Sequence, residues 1–304
     1  MDAHAVSIDR VSLKCYTSSK IDPESALAQV FGLHRQDKRT TRRGQTNISQ
    51  WRAYDSPQGT PGGCFYSLEQ VPSSSSSALL ARIEWNPNPV PWKLSRVLQW
   101  LSEALLVNPA DIWLDRLDIA FDFYVPRAHF TIQPPPRRKV FNVHEAGQTI
   151  ETTTLKASAS NPGWTLYDKQ KERAHHREHI EHPWTRCELK FRPSSMEAPS
   201  LTELRTFELP TKLGGKLLYM PDVREDFNLT SHDCHFYALC REFAEFDPIR
   251  AKRRIAEYAG NRRHGTELAE SLMLSVDLDA IWRDHRPRAT AGFLDPPCDS
   301  SPRT

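Results

Sequence analysis

Leu114-Asp115-Arg116-Leu117-Asp118-Ile119-Ala120-Phe121-Asp122-Phe123-Tyr124 alternates with the period of a β-strand. Leu117, Ile119, Phe121 and Phe123 form an apolar face, which belongs in a core. Arg116, Asp118, Ala120, Asp122 and Tyr124 form the reverse face. That face carries two carboxylates, which are costly in a sheet unless they are solvated, paired or bound to a cation.

Two other segments repeat the arrangement. In Arg82-Ile83-Glu84-Trp85-Asn86 the polar face holds Arg82, Glu84 and Asn86. In Thr185-Arg186-Cys187-Glu188-Leu189-Lys190-Phe191 it holds Arg186, Glu188 and Lys190, opposite Cys187, Leu189 and Phe191. If these strands share a sheet, carboxylates and arginines share a surface. Carboxylate oxygens suit hard cations such as Mg²⁺ or Mn²⁺, and guanidinium groups suit phosphate. Side by side, such carboxylates and arginines describe a metal-phosphodiester site. The competing reading is a set of ordinary solvated strand faces.

A nucleophile is available in Gly163-Trp164-Thr165-Leu166-Tyr167-Asp168-Lys169, a further strand pattern that sets Tyr167 beside Lys169. A phenol attacks poorly at its ordinary pKa of about 10. A neighbouring ammonium or metal would lower that value and stabilise the charge that develops on phosphorus.

Around these segments the chain reads as an α+β protein, with an antiparallel-rich central sheet, flanking helices and a helical C-terminal region. Residues 7–16 form a first strand, and Asp22-Pro23 starts a short helix. Residues 36–44 carry Lys38, Arg39, Arg42 and Arg43 with almost no apolar residue, and read as a mobile basic loop. Residues 49–54, 64–70 and 79–85 are strands. Leu94, Val97, Leu98, Leu101 and Leu105 lie on one face of an amphipathic helix that leads into the 114–124 strand as a β-α-β unit. Trp92, Trp100 and Trp113 are assigned to the core, and Gly214-Gly215 to a turn. Beyond residue 200 the pattern turns helical, with starts at Ser231 or Asp233, Asp247-Pro248, Thr266 and, for a short last helix, Asp277. The expected division is 1–200 for the catalytic domain, 201–285 for a helical region with a DNA-binding role, and 286–304 for a disordered, proline-rich tail.

The chain has 304 residues, 38% hydrophobic content and a net charge of +2, which neither demands nor excludes nucleic acid. No apolar run reaches membrane-spanning length, and no signal peptide is evident at the N-terminus. Six scattered cysteines without a Cys-x-x-Cys pair argue against a zinc ribbon or disulfide framework and fit the cytoplasm. Two basic clusters are candidates for DNA backbone contact: Lys38–Arg43, and Lys252, Arg253 and Arg254 with Arg262 and Arg263. His175, His176, His179 and His182 are spaced as on a helix face. They read either as an exposed polar surface or as a metal site near Tyr167.

Five motifs in order resemble the replication initiation factor family of rolling-circle plasmid and phage initiators and related relaxases. They are Ile8-Asp9-Arg10-Val11-Ser12-Leu13, Ile83-Glu84-Trp85-Asn86-Pro87-Asn88, Arg116-Leu117-Asp118-Ile119-Ala120-Phe121-Asp122-Phe123, Tyr167-Asp168-Lys169-Gln170-Lys171-Glu172 and Trp184-Thr185-Arg186-Cys187-Glu188-Leu189. They span roughly residues 7–192. The resemblance implies a nicking domain loosely like the HUH endonucleases but without their paired histidines. It implies Tyr167 as nucleophile, yielding a 5′-phosphotyrosyl enzyme and a free 3′-OH primer, with later religation. It further implies a Mg²⁺ or Mn²⁺ ion held chiefly by Asp118 and Glu188, with Glu84 and Asp122 as further candidate ligands, and phosphate contacts from Arg116, Arg186 and Lys169. Its partners would be origin DNA, single-stranded or supercoiled, and the host replication machinery. A host helicase belongs among them, because the chain has no phosphate-loop motif of its own. A homodimer at the origin is suggested by analogy. Tyr124, Tyr219, Tyr237 and Tyr258 are alternative nucleophiles. A relaxase for conjugative transfer and a DNA-binding protein that does not cut are the alternative functions.

Overall fold

The computed structural model describes residues 2–18, 35–43, 46–54, 61–70, 78–88, 92–136, 138–145, 149–157, 161–192, 201, 203–210, 213–219 and 274–295. The expected helix starts at residues 22, 231, 233, 247 and 266 lie outside them, as do Tyr237, Tyr258, Lys252, Arg253, Arg254, Arg262 and Arg263. Described strands are β1 (Ala5–Ser18), β2 (Arg35–Arg43), β3 (Thr46–Tyr54), β4 (Pro61–Gln70), β5 (Ala78–Trp85), β6 (Trp113–Phe123), β7 (Phe130–Gln133), β8 (Val140–Glu145), β9 (Thr149–Leu155), β10 (Gly163–Asp168), β11 (Thr185–Phe191), β12 (Lys216–Tyr219) and β13 (Leu274–Ser275). Described helices are α1 (Leu94–Leu105), α2 (Lys169–His175) and α3 (Leu278–Ala291).

The chain divides into two compact units. The first holds Met1–Val6, Ala120–Lys190 and Glu208–Asp284; the second holds Ser7–Ile119, Phe191–Phe207 and His285–Thr304. Neither is one continuous stretch, and the chain passes from one to the other within β6.

In the second unit the strand order is β2-β3-β4-β5-β1-β6. The β2/β3, β3/β4, β4/β5 and β1/β5 pairings are antiparallel. The helix between β5 and β6 forms as its periodicity predicts. Leu94, Val97, Trp100, Leu101 and Leu105 are its buried residues, each worth roughly 1.5–3 kcal/mol of burial. They join Ile8, Val11, Leu13, Ile83, Trp85, Leu117 and Ile119 among the buried core residues of the unit. Trp113 departs from the core assignment. It is 37% exposed and lies against Tyr16 at the open start of β6.

Three other expectations are corrected. The basic stretch read as a loop, 36–44, is largely strand β2, paired along its length with β3. It closes one end of the strand order, and an edge strand gains from lysine and arginine, which discourage pairing with other chains. A strand of that kind has no apolar face to announce it. The segment beyond residue 200 also contains strands, since β12 pairs with both β7 and β13 in the first unit. Finally, Asp277 does cap a helix, its carboxylate accepting from the Ala280 amide at 3.0 Å. That helix is not short, and it carries on through Arg286 and Pro287 to Ala291, where a disordered tail was expected. Phe293 and Leu294 beyond it are buried, and Lys93 donates to the Ala291 carbonyl at 2.8 Å.

The first unit has strand order β6-β11-β10-β9-β8. The β10/β11, β9/β10 and β8/β9 pairings are antiparallel. Phe121, Phe123, Phe130, Trp164, Leu166, Cys187 and Leu189 are buried. The apolar parity read for β6, β10 and β11 is the core parity. Among the described residues Cys15 and Cys187 are free thiols. Burial pushes Cys15 up to about 11 and holds Cys187 protonated as well, so neither is a nucleophile at neutral pH.

Leu106 ends α1 at φ 51°, in the left-handed region, with its side chain 80% exposed. The conformation costs a leucine roughly 1–2 kcal/mol, and the exposed side chain recovers little by packing. Leu106→Gly is expected to stabilise the protein by about 1 kcal/mol, read as a raised urea midpoint at unchanged m-value.

Candidate active site

In the first unit, β10 and β11 pair with Tyr167 opposite Arg186 and Thr165 opposite Glu188. Cross-strand partners share a face, so Tyr167, Arg186 and Glu188 emerge together. The Tyr167 hydroxyl donates to Glu188 Oε1 at 2.8 Å. Lys169 Nζ lies 3.5 Å from the same hydroxyl and is ion-paired with Glu172. Lys190 Nζ lies 3.2 Å from Glu188 Oε2. Lys169 and Glu188 are buried, whereas Tyr167 is half-buried.

One expectation about this tyrosine is reversed. Its pKa is raised, not lowered, because burial disfavours the phenolate and the Glu188 charge opposes it further. Arg186 offsets only part of this. Tyr167 is therefore a neutral phenol with a carboxylate acceptor in place.

Asp122 is 4% exposed and is held by Arg186 in two-pronged geometry, Nε to Oδ1 at 2.7 Å and Nη2 to Oδ2 at 2.8 Å. Trp184 Nε1 donates to the same Oδ1 at 2.8 Å. Trp184, which immediately precedes β11, continues the parity of Arg186 and Glu188, so the aromatic ring, the ion pair and the carboxylate form a row. The Lys169 amide donates to the Trp184 carbonyl at 2.8 Å, which ties the start of α2 to the head of this row.

In the second unit Asp118 is buried and takes two bonds from Arg116, at 2.8 and 2.6 Å. Arg116 also lies 3.8 Å from Glu84, and Arg10 lies 3.1 Å from it. Asp115 meets Lys14, Arg82 and, at 3.4 Å, the Ser12 hydroxyl. Four cations here face three carboxylates, and Arg10 at 44% exposure is the most open of them. Lys38, Arg39, Arg42 and Arg43 fall on the backbone of β2.

The four expected ion ligands thus divide, with Glu84 and Asp118 in the second unit and Asp122 and Glu188 in the first. Their oxygens are of the right type for Mg²⁺ or Mn²⁺, but each faces a protein cation. Among the described residues no group of three or more His, Cys, Asp or Glu side chains is placed to hold a metal ion. The same holds for the histidine run, whose member His182 instead meets the Tyr124 ring. The residues as arranged do not fit a preassembled ion site.

Two residues that shape this region were not singled out in the sequence. Arg127 is buried, donates to the Phe130 carbonyl and the Thr153 hydroxyl at 2.7 Å each, and is lowered by burial to about 10. Nothing local marks it. Trp184 could have been found, because it extends the parity of Arg186 and Glu188 by one step. Of the alternative nucleophiles, Tyr124 and Tyr219 lie in aromatic clusters.

No family model matches the chain, and no curated protein does. Among solved structures it is similar to a rolling circle replication initiator protein from Geobacillus stearothermophilus, at 13% identity and a TM-score of 0.39, over 79% of this chain and 96% of that one. A likeness of that size carries no argument about this chain's activity.

Two outcomes follow from the geometry. Asp122→Ala leaves a buried guanidinium uncompensated and is expected to cost about 3–5 kcal/mol, measured by urea unfolding. Tyr167 has a folded pKa above its unfolded value near 10, so its contribution is complete below that pH and falls as pH rises further. The stability of wild type should therefore drop more steeply above about pH 10 than that of Tyr167→Phe, in unfolding curves recorded across that range.

Proposed function

We propose that the chain is a single-strand DNA endonuclease and strand transferase that initiates rolling-circle replication, with Tyr167 as its nucleophile. The observation that carries this reading is the 2.8 Å hydrogen bond from the Tyr167 hydroxyl to Glu188, with the Lys169 ammonium 3.5 Å away. A nucleophile paired with an acceptor is the signature of covalent catalysis, and a neutral phenol needs one.

Because the phenol stays protonated, its proton must leave as the attack proceeds. Tyr167 Oη forms a bond to phosphorus while Glu188 takes the hydroxyl proton, and the P–O bond to the 3′-oxygen breaks. That oxygen leaves with a proton from solvent as the 3′-OH primer. The DNA 5′-phosphate stays on Tyr167. Lys169 faces the oxygen at which charge changes and compensates it. Religation is the reverse: the 3′-OH attacks the phosphotyrosine, and protonated Glu188 returns the proton to the leaving phenol. Glu188 thereby acts as general base and then general acid, a role different from the metal ligand that the resemblance implies. General-base assistance of this kind is worth roughly 10²–10⁴ in rate. The partners in this reading are origin DNA, a host helicase and the replication machinery.

A second reading has partial support. That reading, a protein that binds DNA without cutting it, expects Asp118 and Glu188 to be paired to arginines; Asp118 is held by Arg116, whereas Glu188 meets Lys190 and the Tyr167 hydroxyl.

The test uses an origin oligonucleotide, labelled at either end, with Mg²⁺, Mn²⁺ or chelator, on wild type, Tyr167→Phe and Glu188→Gln. Wild type is expected to form a covalent adduct on the 5′-phosphate that survives denaturation. Tyr167→Phe should form none, and Glu188→Gln should form it at least about 100-fold more slowly. Adduct formation by Tyr167→Phe would move the chemistry to another tyrosine. Binding of an authentic origin without cleavage in any of the three conditions would leave the non-cutting reading.

A further inference from the structure

At the Trp184 end of the β11 row, four aromatic rings of the first unit come together. His4 stacks on Tyr124 with ring centroids 3.7 Å apart and planes 24° apart. His182 lies 4.0 Å from the same tyrosine. Trp184 meets Tyr124 edge-on at 6.1 Å and His182 at 6.2 Å. Such clusters are ordinarily core, but this one faces water. His4 and His182 are exposed, and Tyr124 between them is 41% exposed.

The rings are nevertheless held in place. The His4 amide donates to the Asp122 carbonyl at 2.7 Å, pinning the start of the chain beside β6. Trp184 is anchored through its indole to Asp122, and the Arg186 guanidinium lies 5.8 Å from its ring. His182 is brought back by the turn after α2. There Arg177 adopts φ 65°, the Glu178 amide bonds the Arg173 carbonyl at 3.0 Å, and Gln170 holds the Ile180 carbonyl at 2.8 Å. Three separate segments thus bring exposed His4 and His182, partly exposed Tyr124 between them and half-buried Trp184 to one spot. Trp184, just before β11, is four residues from Glu188, about 13 Å at strand rise.

We infer that His4, Tyr124, His182 and Trp184 form a stacking platform for unpaired nucleobases of single-stranded DNA next to the scissile phosphate. The choice of ligand rests on the proposed function; the platform itself rests on the ring geometry. Stacking on aromatic faces accepts any base, because every base has a π-face. It would hold the strand flanking the cut without reading its sequence and keep it from re-pairing. The neighbouring Asp122–Arg186 pair is internally neutral, so at this end of the row affinity comes from the rings.

The test measures equilibrium binding in the full-length Tyr167→Phe chain, where no adduct forms. The probes are a fluorescent oligothymidylate of about a dozen nucleotides and the same backbone carrying abasic sites. Tyr124→Ala and His182→Ala are each expected to weaken oligothymidylate binding roughly tenfold. Neither should alter the slope of log affinity against log salt, because no phosphate contact is removed. Tyr124→Phe should bind within about twofold of the parent, since the ring remains. The abasic strand should bind the parent about as weakly as oligothymidylate binds Tyr124→Ala. Thermal unfolding of each variant checks that the fold is kept.

Equal binding of the two probes by the parent would overturn the platform. So would parental affinity in Tyr124→Ala and His182→Ala, a Tyr124→Phe as weak as the alanine variant, or a parent that does not bind single strands. If these binding results hold while wild type forms no adduct, the platform stands and the nicking reading fails.

Discussion

The Asp122–Arg186 pair is the constraint on which the rest of the first unit depends. A carboxylate at 4% exposure next to the core side of β6 is tolerable only with a partner of opposite charge in good geometry. Arg186 supplies two bonds and Trp184 a third. A planar guanidinium meeting a carboxylate in this way permits little sliding, so the pair sets β11 against β6. Once that register is set, alternation does the rest. Two residues one way along β11, Glu188 arrives under the Tyr167 hydroxyl. Two residues the other way, Trp184 arrives at the aromatic cluster. The pair need not add much net stability, since two ions were desolvated to make it. Its contribution is to specify one arrangement.

The environment of Tyr167 shows which effect wins when charges of both signs are near a titrating group. Arg186 favours the phenolate, but burial and the adjacent Glu188 charge favour the phenol more strongly. The outcome is a phenol that stays protonated and is hydrogen-bonded to a carboxylate. In the proposed reaction this would shift the chemical burden from ionisation to proton transfer, with Glu188 as the acceptor. Lys169 fits the same logic. Its ammonium is buried and ion-paired with Glu172, so it is a fixed charge beside the phenol oxygen and no longer a mobile arm for capturing phosphate.

The second unit solves a related problem differently. Glu84, Asp115 and Asp118 are shared among Arg10, Lys14, Arg82 and Arg116, leaving an excess of positive charge around a partly exposed arginine. Arg10 and Lys14 are on β1, whose Ser12 and Lys14 stand opposite Glu84 and Arg82 of β5. The unit thus places its surplus cation on the polar side of β1 and β5, opposite the side where Val11, Leu13, Ala81, Ile83 and Trp85 are buried. A surface of that kind suits a phosphodiester backbone.

Much of this was written locally. The alternation of 116–123, 163–168 and 185–191 set which side chains share a face, because a strand has only two faces; at Leu114-Asp115 it breaks, since Leu114 is buried and Asp115 joins Lys14 and Arg82 on the polar side. The spacing of Leu94, Val97, Leu101 and Leu105 set the helix that follows β5. Tyr167 beside Lys169, and Glu188 beside Arg186, were legible for the same reason. Strand β2 was not, because an edge strand can be polar on both sides; nor were β7, β12 and β13, which are too short to show a period. In β9, Thr152, Thr153 and Thr154 supply β-branched shape without the apolar alternation that announces a strand. What only the tertiary structure decided is who neutralises whom. Sequence supplied four carboxylates and left open a shared cation. Folding gave Asp118 to Arg116, Asp122 to Arg186 and Trp184, and Glu188 to Tyr167 and Lys190. Local pattern determines the face on which a charge stands, but its partner comes from another strand, and strand order is set by the packing of the whole sheet.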